Sequence, residues 1–302
     1  MWTRTSPSIV SIKRGNAAAA IAVVALALIW GYNWVVIKIA THDADPFSVT
    51  AIRAALGALC LFAALAFTRR PLRSPPVVPT IVLGLLQTTT FTLFQVIAVA
   101  SGGAGKTSVL VYTMPFWAAL LALPLLGERI KPSGWFSLAL AAVGLVLVLV
   151  PFTFGGGLLS EAFALLSAIS WAASVVYAKH VRARYTTELL SLTTWQIVYG
   201  AIPLVLVAML VPHHVHLTLS FIAAMAYVAV PATALAWLLW MFILSRMSAA
   251  NAGISSLLTP VIGVAAAWAQ LGERPGPIEL SGIACILAAL VVNSLPARRR
   301  SA

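Results

Sequence analysis

The chain has 302 residues, of which 61% are hydrophobic and 9% are charged. Because a soluble domain carries roughly 25% charged residues, this composition excludes a soluble globular protein. A net charge of +12 would indicate nucleic acid binding in a soluble protein. Here the basic residues lie between apolar runs, where they orient a chain in the lipid bilayer. We therefore expect a membrane protein that does not bind nucleic acid.

Ten apolar segments follow one another along the chain, and each is long enough to serve as a helix of about 20 residues across a ~30 Å hydrocarbon core. They cover residues 17–38, 47–67, 77–99, 105–126, 133–151, 158–178, 189–211, 218–244, 249–270 and 277–295. The first follows Lys13 and Arg14 and so resembles a signal peptide, but it is too long, and Trp30, Tyr32 and Trp34 make a poor cleavage site. We predict an all-α integral membrane protein with ten transmembrane helices, the first of them uncleaved.

The distribution of basic residues predicts the topology. If the amino terminus is cytoplasmic, all but four of the 19 lysines and arginines fall in cytoplasmic loops or tails. The exceptions are Lys38, Arg53, Lys106 and Arg274. Because lysine and arginine concentrate on the cytoplasmic side, both termini are predicted to lie in the cytoplasm.

The two halves of the chain repeat a short motif. Gly127-Glu128-Arg129 recurs 145 residues later as Gly272-Glu273-Arg274, and each copy follows a proline, Pro115 or Pro260, by twelve residues. Five spans per half is an odd number, so the second half enters the membrane upside down. Two inverted five-helix repeats that rock about a site at the bilayer midplane are typical of transporters.

Further pairs of residues extend the alignment of the halves. Trp30 matches Trp171 at a lag of 141 residues, and Arg53 matches Gln196 at a lag of 143. Short loop insertions explain the growing lag, because they cost little free energy. We expect a cytoplasmic tail, two repeats and a basic cytoplasmic tail over residues 1–16, 17–151, 157–295 and 296–302.

Polar and aromatic residues inside the spans predict the wall of a cavity. Trp30, Asn33 and Trp34 share one face of span 1 at helical spacing, and similar stripes recur in spans 3, 6 and 8. Each residue alone fits an interfacial aromatic belt or a helix–helix contact, but the set suits an aromatic-lined pocket. The predicted substrate-binding residues are Trp30, Asn33, Trp34, Arg53, Gln87, Gln95, Tyr112, Trp171, Ser174, Trp237 and Trp240.

Arg53 lies roughly 10 Å inside the outer boundary if span 2 begins at Phe47, taking about 1.5 Å per residue. At that depth an arginine faces a cavity, pairs or snorkels. Two roles stay open: a structural arginine that snorkels outward or bonds helix-end carbonyls, or a contact to a substrate carboxylate. Lys38 and Lys179 are interpreted as interfacial anchors.

The acidic residues all fall in loops or at span ends. They are Asp43, Asp45, Glu128, Glu161, Glu188, Glu273 and Glu279. Proton- and Na⁺-coupled carriers usually hold a carboxylate at membrane depth, so the sequence predicts uncoupled transport and disfavours a permanently cationic drug as substrate. Glu128 and Glu273 are expected to pair with the adjacent arginines or with free helix-end amides.

Two motifs resemble cofactor or metal sites without the required context. Gly105-Lys106-Thr107 completes a relaxed phosphate-loop pattern, yet it opens a membrane span instead of joining a strand to a helix. His213, His214 and His216 occupy a short outer loop without acidic or cysteine partners, so solvated loop histidines are the better interpretation. We predict no cofactor and no metal site.

The sequence resembles the EamA-type transporters of the drug/metabolite transporter superfamily. The residues that carry the resemblance are Trp30-Gly31-Tyr32-Asn33-Trp34 with Lys38, Arg53, and the paired Pro…Leu-Gly-Glu-Arg signatures. The resemblance covers residues 17 to 295. It implies a bacterial inner-membrane carrier for small metabolites, often an amino acid exporter, with spans 1, 3, 4, 6, 8 and 9 around a central cavity and spans 5 and 10 at the periphery.

These observations favour a secondary transporter, not an enzyme, that moves a small neutral or zwitterionic metabolite by alternating access. An amino acid, exported across the inner membrane, is the expected substrate; another metabolite class such as a nucleobase or a drug stays open. A membrane-embedded enzyme is disfavoured because the spans hold no cluster of acids or histidines. The expected partners are a small-molecule substrate and the lipid bilayer, and a homodimer is left open.

Overall fold

Every named element of the computed structural model is a helix. The structure describes residues 9–70, 72–127, 130, 132–149, 157–246 and 258–294. These residues form ten helical elements: α1 (Ile9–Asp43), α2 (Pro46–Phe67), α3 (Val77–Ser101), α4 (Ala104–Leu126), α5 (Pro132–Leu149), α6 (Gly157–Arg184), α7 (Leu189–Leu210), α8 (residues 219–246), α9 (Leu258–Leu271) and α10 (Pro277–Ser294).

Seven of these elements, α1 to α4 and α6 to α8, are long and apolar enough to cross a membrane. Three shorter apolar helices complete the described set, at Gly134–Val148 in α5, Leu258–Leu271 in α9 and Pro277–Val292 in α10. The helices need no partner for their backbone hydrogen bonds, which is the condition for crossing lipid. The chain is therefore a multi-pass, all-helical membrane protein.

Local sequence sets where the helices begin and end. Asp45 accepts hydrogen bonds from the N–H groups of Phe47 and Ser48, both at 3.0 Å, and Pro46 opens α2 without a donor to satisfy. Gly127 and Gly272 end α4 and α9 with φ angles of +64° and +71°. Residues other than glycine rarely adopt this left-handed conformation. The glycine of each Gly-Glu-Arg copy is thus a helix terminator.

The helices pack in pairs that cross between the two halves of the chain. α2 packs on α7, α1 on α9, and α3 and α4 on α6, while α5 and α10 pack chiefly against each other. The α5–α10 pair therefore lies to the side of the bundle. This placement agrees with the peripheral position that the family resemblance implies for spans 5 and 10.

At one end of the bundle, the loop after α1 is tied to the loop after α7. The N–H of His214 donates to Asp45 Oδ2 at 3.1 Å, and the Thr218 hydroxyl donates to Asp43 Oδ2 at 2.7 Å. Ala44 and Val215 form an isolated antiparallel bridge between the same loops. We call this end, which also carries Lys38 and Glu273, the charged end.

Candidate substrate cavity

A cavity of about 150 Å³ lies between the two halves of the chain. Its described lining comes from α1, α2, α3 and α4 of the first half and from α6, α7 and α8 of the second. Nine of the eleven predicted binding residues line it: Trp30, Asn33, Trp34, Arg53, Gln87, Gln95, Tyr112, Trp171 and Trp237. The set of spans that the resemblance implied is incomplete, because α2 and α7 contribute lining residues as well; α9 contributes none among the described residues.

Tryptophans from both halves form the flat walls of the cavity. The rings of Trp30 and Trp237 meet edge to face, with centroids 6.4 Å apart and planes at 78°. Trp30 is held in place because its Nε1 donates to the carbonyl oxygen of Ala232 at 3.1 Å. Trp171 packs against Phe91 with centroids 4.7 Å apart. Fixed, edge-packed indoles of this kind offer apolar surface to a bound side chain.

The polar groups of the cavity come mainly from the first half. The Arg53 guanidinium donates from Nη1 to Gln95 Oε1 at 3.0 Å. Gln196 Nε2 donates to Gln87 Oε1, which joins α7 to α3. Among the described lining residues there is no aspartate or glutamate. Arg53 is thus a cation with several N–H donors beside a neutral amide, in a cavity whose described wall carries no negative charge.

Asn33 differs from the other amides of the cavity. The residue is 4% exposed and lies on the cavity face of α1. Among the buried side-chain nitrogen and oxygen atoms that the structure describes, Asn33 Oδ1 is the one without a hydrogen-bond partner. A buried acceptor without a donor costs about 1–3 kcal/mol. This oxygen therefore does not stabilise the fold.

Two π-helical turns flank the cavity at equivalent places in the two halves. The first covers Gly84–Thr90 in α3, and the second covers Val230–Leu235 in α8. Hydroxyl groups satisfy loosened carbonyls of the first turn: Ser170 Oγ donates to Leu86 O at 2.7 Å, and Thr90 Oγ1 donates to Leu85 O at 2.9 Å. π-helical turns often mark functional sites. Their equivalent placement in the two halves therefore supports the cavity as the candidate functional site.

At the charged end, helix termini from the two halves are capped by charged side chains. Lys38 Nζ donates to the carbonyl oxygens of Val99, Ala100 and Gly102 at 2.9, 3.0 and 2.7 Å, where α3 ends. Positive charge there complements the negative end of the helix dipole. Lys38 is therefore a helix cap at this end of the bundle.

Glu273, from the second Gly-Glu-Arg copy, caps the start of α4. Its two carboxylate oxygens accept from the N–H groups of Ala104 and Gly105, both at 2.8 Å. Two partners were expected for Glu273, the adjacent arginine or free helix-end amides, and the structure shows the amides. These are the amides of the phosphate-loop-like segment. Beside them Lys106 pairs with Glu161. Glu128 of the first copy lies outside the described residues.

The family model for the EamA-like transporter family matches this chain twice, over residues 17–150 and 158–295. The two matches correspond to the two halves that meet at the cavity. The chain belongs to the EamA-like transporter family. It is therefore a membrane transporter.

Relatives of this EamA-like protein carry transporter names. A "Probable amino-acid metabolite efflux pump" of Salmonella typhimurium is 30% identical over 280 residues, covering 88% of this chain and 91% of that protein. A protein of the same name from Escherichia coli is 28% identical, covering 91% and 94%. The "Uncharacterized transporter YoaV" of Bacillus subtilis is 25% identical, covering 92% and 97%.

A solved crystal structure shares the fold of this EamA-like chain. It aligns with a TM-score of 0.67 at 20% sequence identity and covers 95% of this chain and 99% of that chain. At this level of identity the likeness concerns the fold alone. It indicates that the arrangement of helices described above exists in an experimentally determined protein.

Two predicted binding residues of this EamA-like transporter do not line the cavity. Ser174 is buried and donates from Oγ to the Trp171 carbonyl oxygen of its own helix at 2.7 Å. Trp240 packs against Trp30, with ring centroids 6.2 Å apart, and joins the apolar cluster around Ile243. Both contact a lining tryptophan, Trp171 or Trp30, without lining the cavity themselves.

Several lining residues were not predicted as binding residues. Gln196 is the most informative, because its match to Arg53 in the repeat was visible in the sequence and could have identified it. Phe91, Met114 and Ile197 are apolar residues in apolar helices, and nothing in the sequence separates them from lipid-facing positions. Thr88, Thr92 and Thr233 belong to the stripes that the sequence predicts on the cavity wall in spans 3 and 8, although they are not among the predicted binding residues. The lining residues that the sequence did not predict are Ala54, Gly57, Phe91, Val111, Met114, Gln196, Ile197 and Ala232.

Proposed function

We propose that this transporter exports a small zwitterionic metabolite, an amino acid, across the bacterial inner membrane by alternating access of two inverted five-helix repeats. The observation that carries the proposal is the composition of the cavity wall. One arginine, Arg53, stands beside neutral amides, the described wall holds no carboxylate, and tryptophans supply apolar walls. A solute with a carboxylate at one end and an apolar side chain at the other fits this wall, because the carboxylate can contact Arg53 and the side chain can contact the tryptophans.

The size of the cavity supports the same class of solute. A water molecule needs about 10–15 Å³ of such space, so a cavity of about 150 Å³ holds on the order of ten waters. A solute with about as many non-hydrogen atoms, such as a mid-sized amino acid, replaces them. The names of the Salmonella and Escherichia relatives, which refer to amino-acid metabolite efflux, point to the same class and direction.

Ten membrane crossings are part of this proposal. α5 and α10 each have 18 residues and so rise about 27 Å at 1.5 Å per residue, close to the ~30 Å hydrocarbon core. The 14 described residues of α9 rise about 21 Å. With ten crossings and the basic residues on the cytoplasmic side, both termini lie in the cytoplasm and the charged end faces outward.

The test is counterflow in proteoliposomes. Purified protein is reconstituted with an excess of unlabelled solute inside, and the entry of radiolabelled amino acids, nucleobases and organic amines is followed without a pH or Na⁺ gradient. We expect counterflow of neutral amino acids and none of amines. Counterflow of nucleobases alone would replace amino acids by the alternative substrate class. Transport that requires an imposed proton gradient would contradict the uncoupled mechanism, which is predicted because the acidic residues lie only in loops and at span ends.

A further inference from the structure

We propose that Gln95 is the positioning residue that gives the cavity its preference for solutes with an anionic group. By accepting from Arg53 as a neutral amide, Gln95 holds the guanidinium in place and leaves its charge uncompensated. The inference rests on the proposed function and deepens it, because it states which side chain sets the charge class of the substrate.

Arg53 has further donors, and they are accessible. A guanidinium carries five N–H donors on three nitrogens, and Gln95 Oε1 accepts from Nη1 at 3.0 Å. The other two nitrogens have no acceptor among the described residues, yet neither belongs to the described side-chain atoms that are both buried and unpaired. Since Arg53 is partly accessible and lines the cavity, these donors are available to a solute.

The charge of Arg53 is not neutralised by any acid that the structure describes. No aspartate or glutamate is among the described lining residues of the cavity. The described carboxylates cap helix ends or loops, pair with Lys106, or line a second cavity at the charged end; they are Asp43, Asp45, Glu161, Glu188, Glu273 and Glu279. Because an unpaired charge away from bulk water is costly, the cavity favours a solute that brings an anion to Arg53.

Gln95 suits this task because its oxygen accepts a hydrogen bond without carrying a charge. The residue is 4% exposed and lies on α3, which packs against α2. A glutamate at this position would accept the same N–H but neutralise the guanidinium, and an apolar residue would leave Nη1 without its acceptor. In the second repeat the equivalent positions hold Gln196 and Trp240, so the pair of cation and amide belongs to the first repeat alone.

The pair also determines which end of the cavity holds the anion. At about 1.5 Å per residue, Arg53 lies about 10 Å from the start of α2 and Gln95 about 9 Å from the end of α3. Trp30 lies about 20 Å from the end of α1, and Trp171 about 21 Å from the start of α6. All four helix ends belong to the charged end. The carboxylate of a bound solute therefore points toward the charged end and its side chain points away from it.

L-leucine and L-leucinamide test the charge preference, because they share one side chain and differ in a carboxylate against a neutral amide. Since hydrogen bonds between charged groups are the stronger ones, L-leucinamide should bind the unmodified protein at least about tenfold more weakly than L-leucine. The dissociation constants come from the concentration dependence of thermal stabilisation in detergent, which does not require transport. Counterflow of radiolabelled L-leucine is measured in parallel.

Variants separate the role of Gln95 from general damage, because a merely structural role would weaken both solutes equally. Gln95→Glu should bind L-leucine at least about tenfold more weakly and L-leucinamide at least as well as L-leucine. Gln95→Met, which removes the acceptor but leaves the charge of Arg53, should weaken L-leucine about three- to tenfold and keep the preference. Gln270→Glu is the matched control, because Gln270 is an exposed amide that accepts from the Tyr32 hydroxyl outside the cavity; both constants should equal those of the unmodified protein.

The outcomes distinguish this inference from the proposed function. Equal binding of the two solutes by the unmodified protein would overturn the assignment of Gln95, and so would an unchanged preference in Gln95→Glu. The expected binding pattern without counterflow would contradict the proposed function and support the assignment. Should Gln95→Glu not accumulate as folded protein, the exchange Arg53→Gln/Gln95→Arg decides: it should restore the preference for L-leucine that Arg53→Gln loses, and a failure to restore it would overturn the assignment.

Discussion

The two repeats use the same devices to place their helices but different residues to face the cavity. Asp45 and Glu188, separated by 143 residues, cap the starts of α2 and α7, and Ser48 and Ser191 supply N–H donors to those caps. The π-helical turns of α3 and α8 also correspond. Symmetry is therefore retained where the helices are positioned.

Symmetry is lost at positions that line the cavity. Arg53 corresponds to Gln196, and Thr92 corresponds to Trp237. All four residues line the cavity, yet they give one repeat a cation and the other an additional indole. The cavity is consequently polar toward the first repeat, and a solute with one charged end and one apolar end is expected to bind in a single orientation.

The largest effect is expected at the equivalent glycines Gly57 and Gly200. Both repeats have a glycine at this position, but the space available for a side chain differs between them. A Cβ at Gly200 would overlap the carbonyl oxygen of Gly84 and the Cβ of Thr88, whereas a Cβ at Gly57 would lie 3.1 Å from Thr233 Cγ2. Overpacking typically costs about 1–3 kcal/mol and more against backbone. We expect Gly200→Ala to abolish accumulation of folded protein, and Gly57→Ala to cost about 1 kcal/mol.

The measurement for this pair is size-exclusion elution in detergent followed by thermal unfolding. Gly127→Ala serves as a reference for a substitution that meets no neighbour within 4 Å but is strained by the positive φ angle. Equal stability of Gly57→Ala and Gly200→Ala would mean that the α3–α7 crossing is looser than described.

The next largest effect concerns the cation that distinguishes the first repeat. Arg53→Gln removes the charge while leaving an amide near Gln95, and hydrogen bonds to charged groups contribute about 1.5–3 kcal/mol. The half-saturating concentration of the amino acid in counterflow should therefore rise about ten- to 150-fold. Gln196→Leu leaves Gln87 unpaired but removes no charge, so its effect should stay below about tenfold. A larger loss in Gln196→Leu than in Arg53→Gln would reverse the assignment of the polar side.

The apolar walls give a third comparison, between tryptophans that line the cavity and those that do not. Burying a large apolar side chain contributes about 1.5–3 kcal/mol, so Trp237→Ala should weaken substrate binding about ten- to hundredfold with near-normal folding. Trp135, which is 53% exposed, lies outside the cavity, and Trp135→Ala should have little effect. Trp240→Ala should fall between them, because Trp240 supports Trp30. Equal loss of transport in Trp135→Ala and Trp237→Ala would indicate interfacial anchors and contradict the cavity.

Much of this architecture could be predicted from the sequence, because lipid imposes strong constraints. Hydropathy marks apolar helices when every backbone group must be satisfied within its own segment. Polar residues inside such helices are few, so most of them, including Asn33, Gln87 and Gln95, could be assigned to one cavity. The family was recognisable because its motifs occur in both repeats.

The sequence did not predict which residues on a helix face reach the cavity, because that depends on side-chain contacts that helical periodicity does not determine. Helical spacing placed Ser174 and Trp240 on the same faces as lining residues. A short hydroxyl can instead bond to its own helix, as Ser174 does, and a large indole can reach a neighbour, as Trp240 reaches Trp30. The π-helical turns had no recognised sequence signal, although Pro231 in the second one weakens regular helical bonding.

The smallest effect is expected at the helix caps, where the repeats differ in how many groups each carboxylate binds. Burial opposes ionisation of Asp45, but hydrogen bonds from the Ser48 hydroxyl and from the N–H groups of Ser48, His214 and Phe47 outweigh it and lower the pKa of Asp45 below its ordinary value. A lowered pKa stabilises the fold fully above the ordinary value of about 3.9. That contribution is lost as the pH falls through the lowered value.

Asp45→Asn tests this link between the loops of the charged end. Asparagine caps helices as well as aspartate does, but its NH₂ group would face the N–H of His214, which now donates to Asp45 Oδ2. We expect a loss of about 1 kcal/mol at pH 7, read from thermal unfolding in detergent, and a smaller difference from the unmodified protein as the pH is lowered below about 4. Glu188→Gln is the matched change at α7, where the carboxylate accepts from Ser191 N–H, and it leaves the Asp45 contribution in place. A difference between Asp45→Asn and the unmodified protein that stays constant down to about pH 3 would show that the charge of Asp45 does not stabilise this end of the bundle.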